Sequence, residues 1–131
     1  MLFDGVCVVC NGSVDWLLRH DVHGRLFFAP LQGVTAARLR AALPGEIPDG
    51  LESIVYVDRC GPRAQVFLRT RALRRILEAL GGGPGLSLLR VVPAPIADLA
   101  YRLFARARYA LFGRRETCRI PAAEERLRFL P

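Results

Sequence analysis

No lysine occurs in this chain of 131 residues, so all 19 basic side chains are arginine. Acidic residues number 12, which leaves a net charge of +7. A basic balance of this size fits nucleic acid, an anionic membrane or an acidic partner. It fits equally a genome rich in arginine codons. No helix-turn-helix, zinc-finger or RNA-binding signature accompanies the arginines, so nucleic acid is not an expected partner. Cysteine is scarce as well. Four thiols are too few to staple a chain of this length. Long apolar runs are missing: no window reaches the roughly 18 uninterrupted apolar residues of a membrane-crossing helix. The opening Met1-Leu2-Phe3 passes directly into Asp4-Gly5, without the basic and apolar stretches of a secretory signal. The expected compartment is therefore the cytoplasm, where thiols stay mostly reduced. There the Asn11-Gly12-Ser13 triplet carries no glycosylation meaning.

What is present is enough for one core. Hydrophobic residues make up 52% of the chain, with seven Phe, three Tyr and one Trp. A chain of this length buries roughly two thirds of its unfolded surface without needing disulfides or a metal. Leu2-Phe3 ends a short strand, and Cys10, Val14, Leu17 and Leu18 form one stripe of a first helix. Arg25–Leu31 reads as a second strand. Thr35 is placed to cap a helix running to about Leu43. Ile54–Val57 and Ala64–Leu68 read as an antiparallel hairpin, with Cys60 as an incidental thiol in its turn. Thr70 is placed to cap a third helix carrying Leu73, Ile76, Leu77 and Leu80, which Gly81–Gly85 stops. A short helix follows over Leu86–Val92. A longer one then carries Ile96, Leu99, Ala100, Leu103, Ala107 and Leu111 as its inward stripe. Its Arg102, Arg106 and Arg108 would suit an anionic membrane, but docking on the chain's own sheet is the preferred reading. The order β-α-β-α-β-β-α predicts a mixed sheet with helices on both faces, the arrangement of thioredoxin-like α/β domains. We expect a single domain over 1–131, of which about 86–131 is a helical C-terminal extension.

The chemistry concentrates in Asp4-Gly5-Val6-Cys7-Val8-Val9-Cys10. A Cys-x-x-Cys pair between a first strand and a first helix has a physical logic. Cys7 falls at the helix N-terminus, where free N–H groups and the dipole favour a thiolate over the ordinary thiol of pKa about 8.5. That makes Cys7 the expected nucleophile. Cys10, one turn on and expected to be less exposed, is the expected resolving thiol. Asp4 is either a proton-handling group or the turn residue that fixes the strand-to-helix corner. Two other readings of the pair compete, a site for a thiophilic metal and an inert pair. Only one Cys-x-x-Cys is present where structural zinc commonly uses two, and Asn11 stands where c-type haem attachment needs His. His20 and His23 alone make a poor metal site, and Trp16 is expected to pack in the core or at its rim. No cofactor beyond the dithiol is expected.

LFDGVCVVCNGSV resembles the opening of the DCC family of thiol-disulfide oxidoreductases, whose Asp and two Cys fall here on Asp4, Cys7 and Cys10. The resemblance continues through Phe28-Ala29-Pro30-Leu31-Gln32, Ser53–Val57, Ala72–Leu77, Ala105–Tyr109 and Phe112-Gly113-Arg114-Arg115 followed by Cys118. It implies a thioredoxin-like fold and thiol-disulfide exchange with a protein or small-molecule substrate. Some relatives are attached to membrane domains. The chain departs from the family where Arg69-Thr70-Arg71 replaces the frequent Arg-Ser-Asp and where Ala107 stands in place of a frequent Asn. No proline precedes the third strand, where Glu52-Ser53 stands and thioredoxins carry a cis-proline. Within the resembling ending, Arg114, Arg115 and Cys118 have three readings. The arginines complement a helix C-terminus while Cys118 packs, which is preferred; Cys118 is a third redox thiol; or the segment folds back so that the arginines stabilise the Cys7 thiolate.

Overall fold

A computed structural model describes residues 1–50, 53–59, 61, 63–118 and 120–131. The readings that placed Cys60 and Pro62 in the hairpin turn and Glu52 before the third strand lie outside these residues. The element order is β1 (Leu2–Phe3), α1 (Val8–His20), β2 (Ala29–Pro30), α2 (Val34–Ala42), β3 (Val55–Asp58), β4 (Gln65–Leu68), α3 (Arg69–Ala79), α4 (Pro84–Val91) and α5 (Ala94–Phe112). A 3-10 segment over Ala123–Arg128 follows.

The four strands form one mixed sheet in the order β2-β1-β3-β4. β1 and β2 are parallel, joined by the α1 crossover, while β3 runs antiparallel to both β1 and β4. This is the thioredoxin-like arrangement. Successive strand side chains point to opposite faces, so Leu2 and Phe3 enter two different cores. Leu2 packs with Ala29, Leu31, Ala36, Ile47 and Val55. Phe3 packs with Val14, Leu17, Leu26, Phe28 and Ile76. Fully burying a Leu or Phe side chain contributes about 1.5–3 kcal/mol, which anchors even a strand as short as β1.

Four local expectations are corrected. The second strand shrinks from Arg25–Leu31 to Ala29–Pro30. Phe28 pairs instead with the C-terminal segment, its N–H donating to Arg128 O at 2.8 Å and its carbonyl accepting from Leu130 N–H at 2.8 Å. Thr35 lies inside α2, whose cap is Gly33. Thr70 lies inside α3, whose cap is Leu68. The Thr70 hydroxyl is buried and donates to Asp98 of α5, a tertiary partner that outweighs its capping preference.

The fourth concerns α5. The expected inward stripe faces out: Ile96, Leu99, Leu103 and Leu111 are all exposed. The helix does dock on the domain, but through Ala97, Tyr101, Ala105 and Arg108. Small residues let it approach closely, and polar tips hold it. The Tyr101 hydroxyl accepts the Ile54 N–H at 2.8 Å. α5 ends at Gly113, whose φ of 81° is readily adopted by glycine. Beyond it, the extension expected to be helical has only the 3-10 segment Ala123–Arg128 among its described residues. It runs back across the start of α1 and then along the edge of β2.

Candidate redox site

The corner between β1 and α1 is built by hydrogen bonds within a few residues. Cys7 is the N-cap of α1 in extended conformation, and its Sγ accepts the Cys10 N–H at 3.3 Å. A cap side chain facing the free N–H groups of the first turn is the position a thiolate favours. Asn11, one turn into the helix and buried, ties the corner down. Its Nδ2 donates to Gly5 O at 3.0 Å and to Cys7 O at 2.7 Å.

The two thiols differ in exposure, opposite to expectation. Cys7 is 0% exposed, whereas Cys10 is half-buried and opens onto a cleft. The cause is the C-terminal segment, which folds back onto this corner. Cys7 and Arg114 form an antiparallel bridge, and the Arg115 N–H donates to Val6 O at 2.7 Å. The backbone of Arg114 and Arg115 therefore folds back over Cys7, as the fold-back reading has it, while Cys118 packs, as the preferred reading has it. The two arginines contribute backbone pairing over Cys7, and the Arg114 guanidinium lies 5.7 Å from the Tyr109 ring centre. Cys118 presses its Sγ against Gly5, where a Cβ would overlap it.

Asp4 is buried at the centre of the corner. Its Oδ1 accepts from Val6 N–H at 3.2 Å and from Gln32 Nε2 at 2.9 Å. Its Oδ2 accepts from Arg108 Nη2 at 3.0 Å and from the Tyr109 hydroxyl. Gln32 accepts in turn from Gly5 N–H at 3.3 Å. Arg108, Tyr109 and Gln32 are the site residues that sequence reasoning missed as such. By sequence Arg108 is grouped with Arg102 and Arg106 on a basic amphipathic helix, with no link to Asp4. A usable signal existed: Arg108 falls on the same helical face as the small residues Ala97 and Ala105.

Electrostatics separates the groups. Burial pushes the Cys10 thiol well up, its hydrogen bond with Cys7 adds to this, and Arg108 opposes it only in part. Cys10 is thus held protonated beside Cys7. Burial alone would lower Arg108, but Tyr109 and the nearby thiols outweigh that and hold the guanidinium charge more firmly. Tyr109 is pushed up by burial and by its bond to Asp4. Cys7 and Cys10 offer two soft ligands, and no cluster of three or more His, Cys, Asp or Glu suited to a metal occurs among the described residues. His20 stacks on Trp16 with ring centres 4.1 Å apart. No described helix is long and apolar enough to cross a membrane.

Comparison with known proteins shows the family. A family model described as DCC1-like thiol-disulfide oxidoreductase matches residues 1–114. The chain is 34% identical to "Uncharacterized protein YuxK" of Bacillus subtilis (strain 168), over 100% of this chain and 93% of the relative. It is 32% identical to "DCC family protein At1g52590, chloroplastic" of Arabidopsis thaliana, over 92% of this chain and 68% of the relative. No solved structure gives a significant match.

Proposed function

From the premise that this chain belongs to the DCC1-like thiol-disulfide oxidoreductase family, we propose that it exchanges disulfides through Cys7 and Cys10. The observation that carries this reading is the geometry of the pair: Cys7 caps α1 and accepts the Cys10 N–H on its Sγ, and burial pushes the Cys10 thiol up. The Cys7 thiolate attacks a substrate disulfide, forming a mixed disulfide and releasing one substrate thiolate. Cys10 then gives up its proton and attacks Cys7 Sγ, releasing the second substrate thiol. The substrate gains two electrons and the pair closes as a disulfide. Run in reverse, the same steps oxidise a substrate dithiol. The pair itself is the only redox group the reading needs.

Asp4 acts in this scheme as a positioning residue. Both carboxylate oxygens already accept two hydrogen bonds each, which suits a fixed anchor better than a group that must rotate to carry protons. Arg108 sets a firm positive charge beside the thiols. The working unit is one thioredoxin-like domain over 1–131 with its C-terminal extension, acting in the cytoplasm.

A second reading exchanges the two roles, and the exposure of Cys10 against the burial of Cys7 favours it. Trapping separates the two. If Cys7 attacks, Cys10→Ser holds a substrate disulfide through Cys7, and Cys7→Ser holds none. The opposite pattern reverses the roles. Mild oxidation should remove two hydrogens, mapped by mass spectrometry to Cys7–Cys10. No such disulfide, or a metal that copurifies on both thiols, would overturn the exchange reading.

A further inference from the structure

Cys10 stands in the wall of a cleft of about 840 Å³ between four helices. α1 contributes Val8 and Trp16, α3 contributes Leu73 and Leu77, α4 contributes Leu89 and α5 contributes Phe104. Sites of this size commonly hold ligands of some tens of atoms. Val8, Trp16 and Phe104 are 37%, 47% and 41% exposed, so large apolar surface is left open beside a thiol.

Charge decides what fits. Asp4 and Arg108 are the only charged side chains among the described lining residues, and they are paired with each other. The other 18 arginines of the chain are not among the described lining residues. A substrate carrying ionised groups would therefore surrender hydration in the cleft without gaining a counter-charge. Glutathione disulfide, with several carboxylates, is such a substrate. An extended segment of polypeptide with uncharged apolar side chains around its cysteine is matched on both counts. It would cover the exposed surface of Trp16 and Phe104 and bring its sulfur to the wall that holds Cys10, the attacking thiol of the second reading above.

We propose that this cleft binds an uncharged, apolar polypeptide segment flanking the cysteine to be exchanged. The inference rests on the exchange reading for the role of the thiol, but binding is measurable without any exchange. Trp16 is the only tryptophan in the chain and lines the cleft, so its fluorescence reports occupancy directly. The probe is a short capped peptide of Leu, Val and Phe around a serine that stands for the cysteine. A matched peptide with Asp at the apolar positions and S-methyl glutathione serve as comparisons.

The expected result is saturable quenching or shift of Trp16 emission by the apolar peptide, with affinity at least about tenfold above either comparison. Leu89→Glu and Phe104→Glu should each weaken apolar-peptide binding at least about tenfold. Ile96→Glu, on the outer face of α5, should leave it unchanged. Absence of binding to the wild-type chain, or equal binding of the acidic peptide, overturns the proposal whatever the variants do. Failure of the exchange reading is seen separately, as absence of a Cys7–Cys10 disulfide on oxidation while the thiol-free peptide still binds.

Discussion

Two aspartate–arginine pairs tie the N-terminal half of the chain to its C-terminal end, one beyond each terminus of α1. They use the same charges for different purposes. At the far end, Asp21 is the C-cap residue and takes the backbone N–H groups of Arg25 at 3.0 Å and Leu26 at 2.7 Å, with Arg128 as third donor. Arg128 also donates to Leu26 O at 2.8 Å and remains partly exposed. Asp21 therefore closes a turn, and its arginine is an addition. At the thiol end, Asp4 takes only one backbone N–H and depends on the side chains of Gln32, Arg108 and Tyr109. Both partners of the Asp4–Arg108 pair are almost fully buried. The first pair can lose a member to water. The second cannot, and the thiols sit against it.

Removing Arg108 should break the comparison most sharply. Arg108→Met leaves a buried carboxylate without its cation, a loss of about 3–5 kcal/mol measurable by denaturant unfolding, together with loss of exchange activity. Asp21→Asn should cost less, about 1–3 kcal/mol, and leave the reduction potential of Cys7–Cys10 unchanged. Its effect depends on pH. Burial tends to raise the Asp21 carboxyl, but the Leu26 and Arg25 N–H groups and Arg128 outweigh it, so its pKa lies below the ordinary 3.8. The stabilisation from that shift is complete above the ordinary value and drains away as pH falls through the lowered one. Asp21→Asn should therefore flatten the acid limb of a stability-versus-pH curve, and an unchanged limb would refute the assignment. Tyr109→Phe removes one of four donors to Asp4 and should cost about 1 kcal/mol. Thermal unfolding resolves a change of that size. Ile96→Glu on the outer face of α5 should stay within about 0.5 kcal/mol of wild type. A larger loss would show that this face is covered.

The same contrast explains how far the sequence could be read. Elements with local causes were legible: the Cys-x-x-Cys corner, the Ile54–Val57 run, the glycine stop after α3. The errors lie where distant residues decide. Thr35 and Thr70 have capping chemistry, yet Gly33 and Leu68 hold the cap positions. The Arg25–Leu31 run has strand composition, but Phe28 found its hydrogen-bond partners far along the chain in Arg128 and Leu130. In α5 the larger apolar stripe suggested the buried face, while close packing of Ala97 and Ala105 and the anchoring of Arg108 to Asp4 selected another. The buried arginine could not be told from its exposed neighbours by composition, because arginine supplies every basic side chain of this chain.

Glycine at position 5 is set by volume, since Cys118 Sγ occupies the space a β-carbon would need and Pro30 Cβ stands 3.3 Å from the same point. The first turn and the last thiol thus share a single socket. Whatever widens residue 5 must evict residue 118, and with it the backbone that lies over Cys7. The chain's two ends are fitted to each other as key and ward, so the reach of the outside world to its most sheltered sulfur is governed by one missing methyl group.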